Sequence, residues 1–413
     1  IEVKADKTIL NVEGTVSSTG LNALELLRKA PGVVIDNNEN VNVKGKNKVR
    51  ILIDGRETPL SGKDLAATLK SLQASDIAAI EIISNPSAKY DAAGNAGIIN
   101  IRLRKNKTMG TNGNLSLNAT YGFTPKGDGN LSLNHRGKKF NAFGTVNGNL
   151  GAWHNTNDFL RVQNGLVFDQ HSAQENMNRF ASARLGADWF VNDRHTFGVL
   201  VRGKFERSNW ESTSRALISA ENASAPHALL DATNLIDNNN EDLNANFNYS
   251  YADTSGRSLN VDLDRGGYRF RGMSNQPNFY KTPDEIQITE RKIYRLVTPT
   301  DIILTTAKTD YEQRLWKGTL GAGFKLADVK TDNTFDFYNI VEDRPELDNG
   351  KSNRFKYAER TFAAYLNYNR QFGKKWNLQS GLRMESTRYT GNLLSNNDQN
   401  GQKVEADYTK LFP

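Results

Sequence analysis

The sequence predicts an all-β membrane fold, an antiparallel transmembrane β-barrel, preceded by a small α+β domain. From residue 109 onward, polar and apolar residues alternate in one segment after another. Short polar turns alternate with long polar connections along the same region. No run of 18 apolar residues occurs, which excludes a spanning helix, whereas a spanning barrel requires only alternation.

Composition sets the limits of this prediction. At 413 residues the chain exceeds one average domain, so two domains are expected. It contains no cysteine, so disulfides and thiolate metal sites are excluded, and it begins at Ile1 without a basic, apolar leader. The net charge is +7, but the cations are scattered among acids without a basic-aromatic stripe, and nucleic acid is therefore not an expected partner.

The first hundred residues mix helical and strand patterns. Helical spacing of Ala23, Leu26 and Leu27 predicts a helix over residues 22–29, which Pro31-Gly32 ends. A second helix is predicted to begin at Ser61. Short β-rich runs supply four to six strands, with a turn at Asp54-Gly55. The predicted strands lie at residues 7–12, 33–35, 41–45, 49–53 and 80–83.

Residues 80–101 form the boundary between the two regions and are predicted to be strand, turn and strand. The β-branched run at Ile80 ends at Asn85-Pro86, because proline has no N–H to donate to a sheet. Gly94 and Gly97 permit backbone conformations or close approaches that a side chain would obstruct. A second strand then begins at Ile98.

Connection lengths favour a barrel over a soluble sandwich. Tight turns are predicted at 137–139, 192–194, 254–256, 316–318 and 373–375. Long connections are predicted near 151–176, 206–241, 271–297, 329–358 and 390–404. Short turns at one end and long loops at the other are typical of outer-membrane barrels. About twelve strands are expected between Gly113 and Tyr408, with Trp189, Trp316 and Trp376 forming an aromatic girdle beside the short turns.

The N-terminal motifs resemble the plug domain of TonB-dependent outer-membrane receptors, in the form seen in large receptors of Bacteroidetes-type bacteria. The match includes an Ile-Glu-x-Ile strand, a Pro-Ser-Ala-x-Tyr turn and a Gly-x-x-Gly-Ile-Ile-Asn-Ile strand, in the family's order. The signature residues are Pro31, Gly32, Asp54, Gly55, Glu81, Pro86, Tyr90, Gly94, Gly97 and Asn100.

The resemblance implies a plug at residues 1–108 and a barrel at residues 109–413 in the Gram-negative outer membrane, with the long loops extracellular. Family barrels close with 22 strands, so about the first twelve would be present. The chain ends in mid-strand at Pro413 and is expected to be part of a longer receptor. The family's TonB-contacting segment is absent before Lys7, so it is either trimmed or the coupling is lost.

No catalytic, cofactor or metal residues are predicted. The five histidines lack metal-ligand spacing, and nucleophile-elbow and P-loop patterns are absent. Gly94 to Gly97 is too short a segment to cradle phosphate. Residues 237–242 offer oxygen ligands for calcium, but the pattern lacks a calcium-loop register, and a solvated loop is the favoured interpretation.

The polar strand face has two interpretations. Its charged side chains either face water in the barrel interior or hold the plug through charge pairs that rearrange during transport. The candidates for plug–barrel contacts are Arg50 and Arg56 of the plug, with Glu81 as a further partner, and Arg184, Arg202, Arg383 and Glu385 of the barrel.

Three functions are weighed. The resemblance implies an energised importer of a scarce nutrient of the siderophore, glycan or peptide class, driven by a periplasmic TonB-type protein. The alternative is a non-energised binding or assembly protein of the same fold. An enzyme is the third, and no residue constellation supports it. Outer-membrane lipid and a surface lipoprotein are further expected partners.

Overall fold

The computed structural model describes most of the barrel region and part of the region before it. The described residues are 1–3, 7–13, 21–36, 39–43, 49–57, 65–66, 69–70, 72, 74–83, 86, 88–90, 97–104, 109–373, 376–395 and 401–413.

The N-terminal region is built on a six-stranded sheet with the order β1-β2-β7-β8-β5-β6 and a separate β3–β4 hairpin. Strands β5 and β8 pair in parallel, and the other described pairs of this region are antiparallel. The elements are β1 (Glu2–Val3), β2 (Lys7–Asn11), α1 (Ala23–Arg28), β3 (Val33–Ile35), β4 (Val41–Val43), β5 (Arg50–Ile53), β6 (Arg56–Glu57), β7 (Ile77–Ile83) and β8 (Ile98–Leu103).

Helix α1 begins at a capping box. The Asn22 side chain accepts from Glu25 N at 3.0 Å, and the Glu25 carboxylate accepts from Asn22 N at 2.9 Å, which satisfies two donors at the helix start. After Pro31, Gly32 adopts a φ of +76° and directs the chain into β3. Residues 65–66 and 69–70 are helical, whereas Ser61, the expected cap of that helix, lies outside the described residues.

The N-terminal region has its own apolar core. Ile80, Ile99 and Ile101 are fully buried between the sheet and the helical segments, as are Leu27 and Leu69. Each such side chain contributes roughly 1.5–3 kcal/mol when it leaves water. The region therefore packs around a core that does not depend on the barrel wall.

The rest of the chain forms one antiparallel sheet with the order β21-β20-β19-β17-β16-β15-β14-β13-β12-β11-β10-β9, and β18 pairs with β17. The prediction of about twelve barrel strands is confirmed. Its elements are β9 (Gly110–Tyr121), β10 (Pro125–Arg136), β11 (Phe140–Gln163), β12 (Leu166–Phe190), β13 (His195–Ala220), β14 (Ala228–Ala252), β15 (Ser258–Lys281), β16 (Ile288–Leu315), β17 (Gly318–Val341), β18 (Arg344–Leu347), β19 (Asn353–Phe372), β20 (Trp376–Ser395) and β21 (Gln402–Phe412).

The expected long connections are wrong, because most of these residues belong to strands. β11 and β12 continue to a two-residue turn at Asn164-Gly165, whose φ angles of +53° and +74° suit a tight hairpin. Strands of 24 to 28 residues greatly exceed the 9–11 needed to cross a bilayer. Beyond that length polar runs such as Asn155-Thr156-Asn157-Asp158 interrupt the alternation that identifies a strand, while the ladder of paired residues continues.

Residues 237–242, expected to form a solvated loop, likewise lie within β14. Their side chains alternate between the two faces of the sheet, with Asp237 paired to Arg207 on one face and Asp242 to Lys204 on the other. These carboxylates therefore do not converge on one point.

The polarity of the two faces of the large sheet is the reverse of that in a soluble protein, with apolar side chains outside and charged side chains inside. On the outer face Leu185, Leu243 and Leu366 are 57%, 63% and 53% exposed. On the inner face Asp242 and Arg383 are buried. Trp189, Trp316 and Trp376 are exposed beside the short turns, where the girdle is predicted. Among the described residues, no helix has the length and apolarity to cross a membrane.

Candidate functional site: the contact between the N-terminal region and the barrel wall

Several signature residues meet in one polar network inside the N-terminal region. Asp54 and Gly55 form a turn with φ angles of +51° and +77°. Asn100 accepts from Gly55 N at 2.8 Å and donates its amide to Glu81 Oε2 at 3.0 Å. Asp54 Oδ1 accepts from Leu103 N at 2.8 Å. The network ties the turn to β7 and β8.

Glu81 is an internal group of this network. Its side chain is 6% exposed and lies 3.0 Å from Lys7 Nζ and 3.5 Å from an Arg102 nitrogen. Burial alone would raise the pKa of this carboxyl, but the hydrogen bonds from Asn100 and Lys7 and the two positive charges outweigh it and lower the pKa. The expectation that Glu81 pairs with barrel charges is wrong, because these partners all belong to the N-terminal region.

The remaining signature residues shape the segment after β7. Pro86 is exposed, and Tyr90 packs against the small apolar cluster that includes Ile83. Gly97 has a φ of +100°, and a Cβ added there would lie 3.2 Å from the Ile83 carbonyl oxygen, so a side chain would be strained. Gly94 lies outside the described residues.

The first contact with the barrel wall is made by Asp76, the residue immediately before β7. Ser132 of β10 donates its hydroxyl to Asp76 Oδ1 at 2.8 Å and lies 2.9 Å from the hydroxyl of Thr145. Burial raises the pKa of Asp76, and the Ser132 hydrogen bond and the charges of Arg184 and Arg104 offset this only in part.

A cavity of about 30 Å³ adjoins this contact, which is room for one water molecule. Asp76, Leu72 and Leu103 line it from the N-terminal region. The barrel side of the lining is polar and charged. It includes Thr145, Asn147, Ser182, Arg184, Arg202, Lys204 and Asp242.

The second contact is made by Ala88 and Lys89 against β20 and β16. Arg383 donates to the Ala88 carbonyl oxygen at 3.3 Å and to Glu385 Oε1 at 2.6 Å. The Arg383 side chain is 2% exposed and that of Glu385 is 10%. Lys89 Nζ lies 3.3 Å from Glu312 Oε1 and adds an ion pair between the two regions.

Gly381 allows the close approach at this second contact. A Cβ added at Gly381 would lie 2.7 Å from Ala88 Cβ and 3.3 Å from the Leu366 carbonyl oxygen. Any larger residue must therefore push either residue 88 or the wall away. The backbone of β20 thus presents a glycine opposite Ala88.

The residues predicted to make plug–barrel contacts comprise four in the barrel wall and two in the N-terminal region. Arg383 hydrogen bonds to it, Glu385 accepts from Arg383, and Arg184 contributes its charge at Asp76. Arg202 lines the cavity. Arg50 lies at the start of β5, where its N–H donates to Gly97 O at 3.3 Å, and the side chain of Arg56 lies outside the described part. Their roles in transport remain predictions.

Sequence reasoning missed Asp76, Ser132, Lys89, Glu312 and Gly381. Ser132 occupies an inward position of an alternating strand, which marks it as lumenal but not as a contact. Nothing in a local pattern shows which wall position faces which residue of the N-terminal region. In the described part of the chain, no group of three or more metal-ligating side chains is gathered.

The raised pKa of Asp76 gives the first contact a pH dependence. A carboxyl with a raised pKa stabilises the docked state below the ordinary carboxyl range, and this stabilisation is lost as the pH rises through the raised pKa. We expect Asp76→Asn, which still accepts from Ser132, to abolish the dependence. Protease cleavage of the N-terminal region at pH 4 to 8 measures it.

Asp76→Ala is the matched control, because it removes the hydrogen bond as well as the charge. It should weaken docking at every pH by about 0.5–1.5 kcal/mol. Equal pH profiles for the wild type and Asp76→Asn would contradict the assignment.

A small domain with its own core, held by polar contacts against the inner face of a sheet with an apolar outer face, is the architecture of a plugged membrane barrel. Residues 2–98 match the family model described as TonB-dependent Receptor Plug Domain. Residues 250–413 match the Outer membrane protein beta-barrel family.

The chain belongs to the TonB-dependent outer-membrane receptors and lies in the Gram-negative outer membrane. No curated protein matches it. Among solved structures it is similar to the ferric enterobactin receptor PfeA of Pseudomonas aeruginosa, with 10% identity over 99% of each chain and a TM-score of 0.39.

Two further structures are similar. The yersiniabactin uptake receptor FyuA of Yersinia pestis has 12% identity and a TM-score of 0.36, over 98% of this chain and 75% of its own. The siderophore receptor PirA of Acinetobacter baumannii has 9% identity and a TM-score of 0.38, over 98% and 80%. At these values the likeness does not identify a ligand for this chain.

Proposed function

We propose that the chain imports a scarce nutrient of the siderophore, glycan or peptide class, with residues 1–108 as a movable plug and residues 109–413 as barrel wall. The plug's movement would be driven by a TonB-type protein in the periplasm. The observation that carries the proposal is the contrast between the plug's apolar core and its polar contacts with the wall.

Polar contacts suit a plug that must detach from the barrel wall and bind to it again. The bonds of Asp76 to Ser132 and of Ala88 to Arg383 can be exchanged for bonds to water, whereas an apolar contact would be lost outright. The neighbouring cavity already offers room for a water molecule. The core around Ile80 and Ile99 lets the plug retain structure while these bonds break.

A reversible cross-link tests the proposal. The chain has no cysteine, so Asp76→Cys with Ser132→Cys introduces one pair where the side chains are in hydrogen-bond contact. Cells dependent on this receptor are supplied with ferric siderophores, oligosaccharides or peptides as sole sources. We expect oxidation to abolish uptake and a reductant to restore it.

Ser250→Cys with Asn260→Cys is the matched control, because these side chains lie 2.9 Å apart within the barrel wall. Oxidation of that pair should leave uptake unchanged. If the oxidised plug–wall pair still imports, the plug does not need to move away from Ser132 and the movable-plug proposal fails. If the wild type imports none of the supplied nutrients, the alternative of a non-energised binding or assembly protein replaces the importer.

A further inference from the structure

The uncharged band on the outer face of the barrel ends at the same level on two adjacent strands. On β12 every second residue from Trp189 to Ala181 faces outward, and none of these residues is charged. On β13 the outward residues from Phe197 to Phe205 are likewise uncharged. Both stretches have about the length of the roughly 9–11 residues that a strand needs to cross a bilayer. The next outward residue is an arginine on both strands.

These two arginines are Arg179 and Arg207. Arg179 lies 11 positions from Phe190, the residue at which β12 reaches its short turn. Arg207 lies 12 positions from His195, the residue at which β13 leaves the same turn. With the short turns periplasmic, both arginines lie where the hydrocarbon of the outer leaflet meets its headgroups.

Arg179 and Arg207 are direct cross-strand partners in the register of β12 and β13. Side chains in such positions have Cβ atoms about 4.5–5.5 Å apart, and like charges there repel each other. Arg207 lies 3.1 Å from Asp237 of β14, which neutralises one of the two charges. Among the described residues, no carboxylate lies within ion-pair distance of Arg179. The Arg179–Arg207 pair therefore keeps a net positive charge.

A second pair of opposed arginines shows how the same wall neutralises such a contact. Arg360 of β19 and Arg388 of β20 are also direct partners on the outer face. Arg360 lies 3.3 Å from Asp328, and Arg388 lies 2.9 Å from Asp407. This pair has one carboxylate for each arginine, so the Arg179–Arg207 pair lacks one negative charge by comparison.

The wall on the bilayer side of the Arg179–Arg207 pair is low. The next two outward residues of β12 are Ala181 and Ala183, with Gly148 of β11 beside the first and Gly203 of β13 beside the second. A Cβ added at Gly203 would meet no atom closer than 3.8 Å, so no side chain covers this position. The larger side chains around these small residues are apolar and exposed: Val146, Leu150, Leu185, Val201 and Phe205. A shallow apolar depression therefore extends from the arginines toward the bilayer centre.

A ligand that fits both features combines an anionic head with an apolar chain. Phosphate matches the fork of donors of a guanidinium, and it would supply the negative charge that the Arg179–Arg207 pair lacks. An acyl chain attached to it would fill the depression below. We propose that the Arg179–Arg207 pair binds the phosphate of an outer-leaflet glycolipid, with an acyl chain over Ala181 and Ala183.

Native mass spectrometry of the full chain in detergent, stripped of lipid, tests the assignment. The probe is a diphosphorylated glycolipid of the lipid A type, and its dephosphorylated form is the comparison. We expect Arg179→Gln to weaken binding of the phosphorylated lipid by about fivefold. Arg388→Gln is the matched control, because it removes an opposed outward arginine that Asp407 already neutralises, and it should leave the affinity unchanged.

The other outcomes decide against the site. Equal affinity of the wild type and Arg179→Gln, or equal binding of the dephosphorylated lipid, overturns the proposal. Binding of inorganic phosphate alone with the same dependence on Arg179 overturns the lipid assignment. Should Arg179→Gln fail to fold, Arg179→Lys keeps the charge: it must retain lipid binding if the proposal holds, and its loss of binding would overturn it.

Discussion

Replacing Arg383 with methionine should release the plug from its second contact with the wall. Arg383 and Glu385 are both buried and hydrogen bonded at 2.6 Å, and the arginine also donates to Ala88 O. Removal of one member of a buried ion pair is strongly destabilising, by about 3–5 kcal/mol. We expect faster proteolysis of the plug and a larger ion conductance in planar bilayers.

The double variant Arg383→Met with Glu385→Met separates the two contributions of the arginine. It removes both charges, so most of the lost stability of the barrel wall should return, because buried pairs are often replaceable by apolar residues. The bond to Ala88 stays absent, so the plug should remain more accessible to protease than in the wild type. A single variant as stable as the double would contradict the buried-pair argument.

Gly381→Ala should displace the plug by steric overlap. The new Cβ would lie 2.7 Å from Ala88 Cβ, closer than carbon atoms approach without contact strain. Overpacking of this kind costs about 1–3 kcal/mol. Amide hydrogen exchange of residues 88–90 measures the effect, and we expect faster exchange in the variant.

A compensating change identifies the cause. Ala88→Gly removes the atom that the new Cβ would meet, so Gly381→Ala with Ala88→Gly should restore slow exchange. Gly127→Ala is the matched control, since the nearest atom to its Cβ is 3.7 Å away. If the double variant exchanges as fast as Gly381→Ala alone, the overlap with Ala88 is not the cause.

The extended hairpins show why sequence patterns fail beyond the membrane. Leu185 and Val201 alternate with inward polar residues because lipid faces one side of the wall and the lumen the other. Near Asn164 polar residues are interspersed with apolar runs such as Leu166-Val167-Phe168, so the strict alternation is lost and the segment resembles a loop. Main-chain hydrogen bonding continues regardless of side-chain polarity.

The sequence by itself determined the fold class, the family and the approximate strand number. These follow from local information: the period of two in β13, the Asp54-Gly55 turn, and the ordered motif that contains Glu81 and Asn100. Such patterns involve residues that are close in sequence, so they can be detected without knowledge of long-range contacts.

Only the tertiary structure decided which residues meet. Arg383 and Ala88 are 295 positions apart, and their contact depends on the registers of the barrel strands and on the seat of the plug. The tertiary structure placed Asp76 against Ser132 and kept Glu81 within the plug. A shift of one residue in register turns every side chain to the other face, so alternation alone cannot fix these pairs.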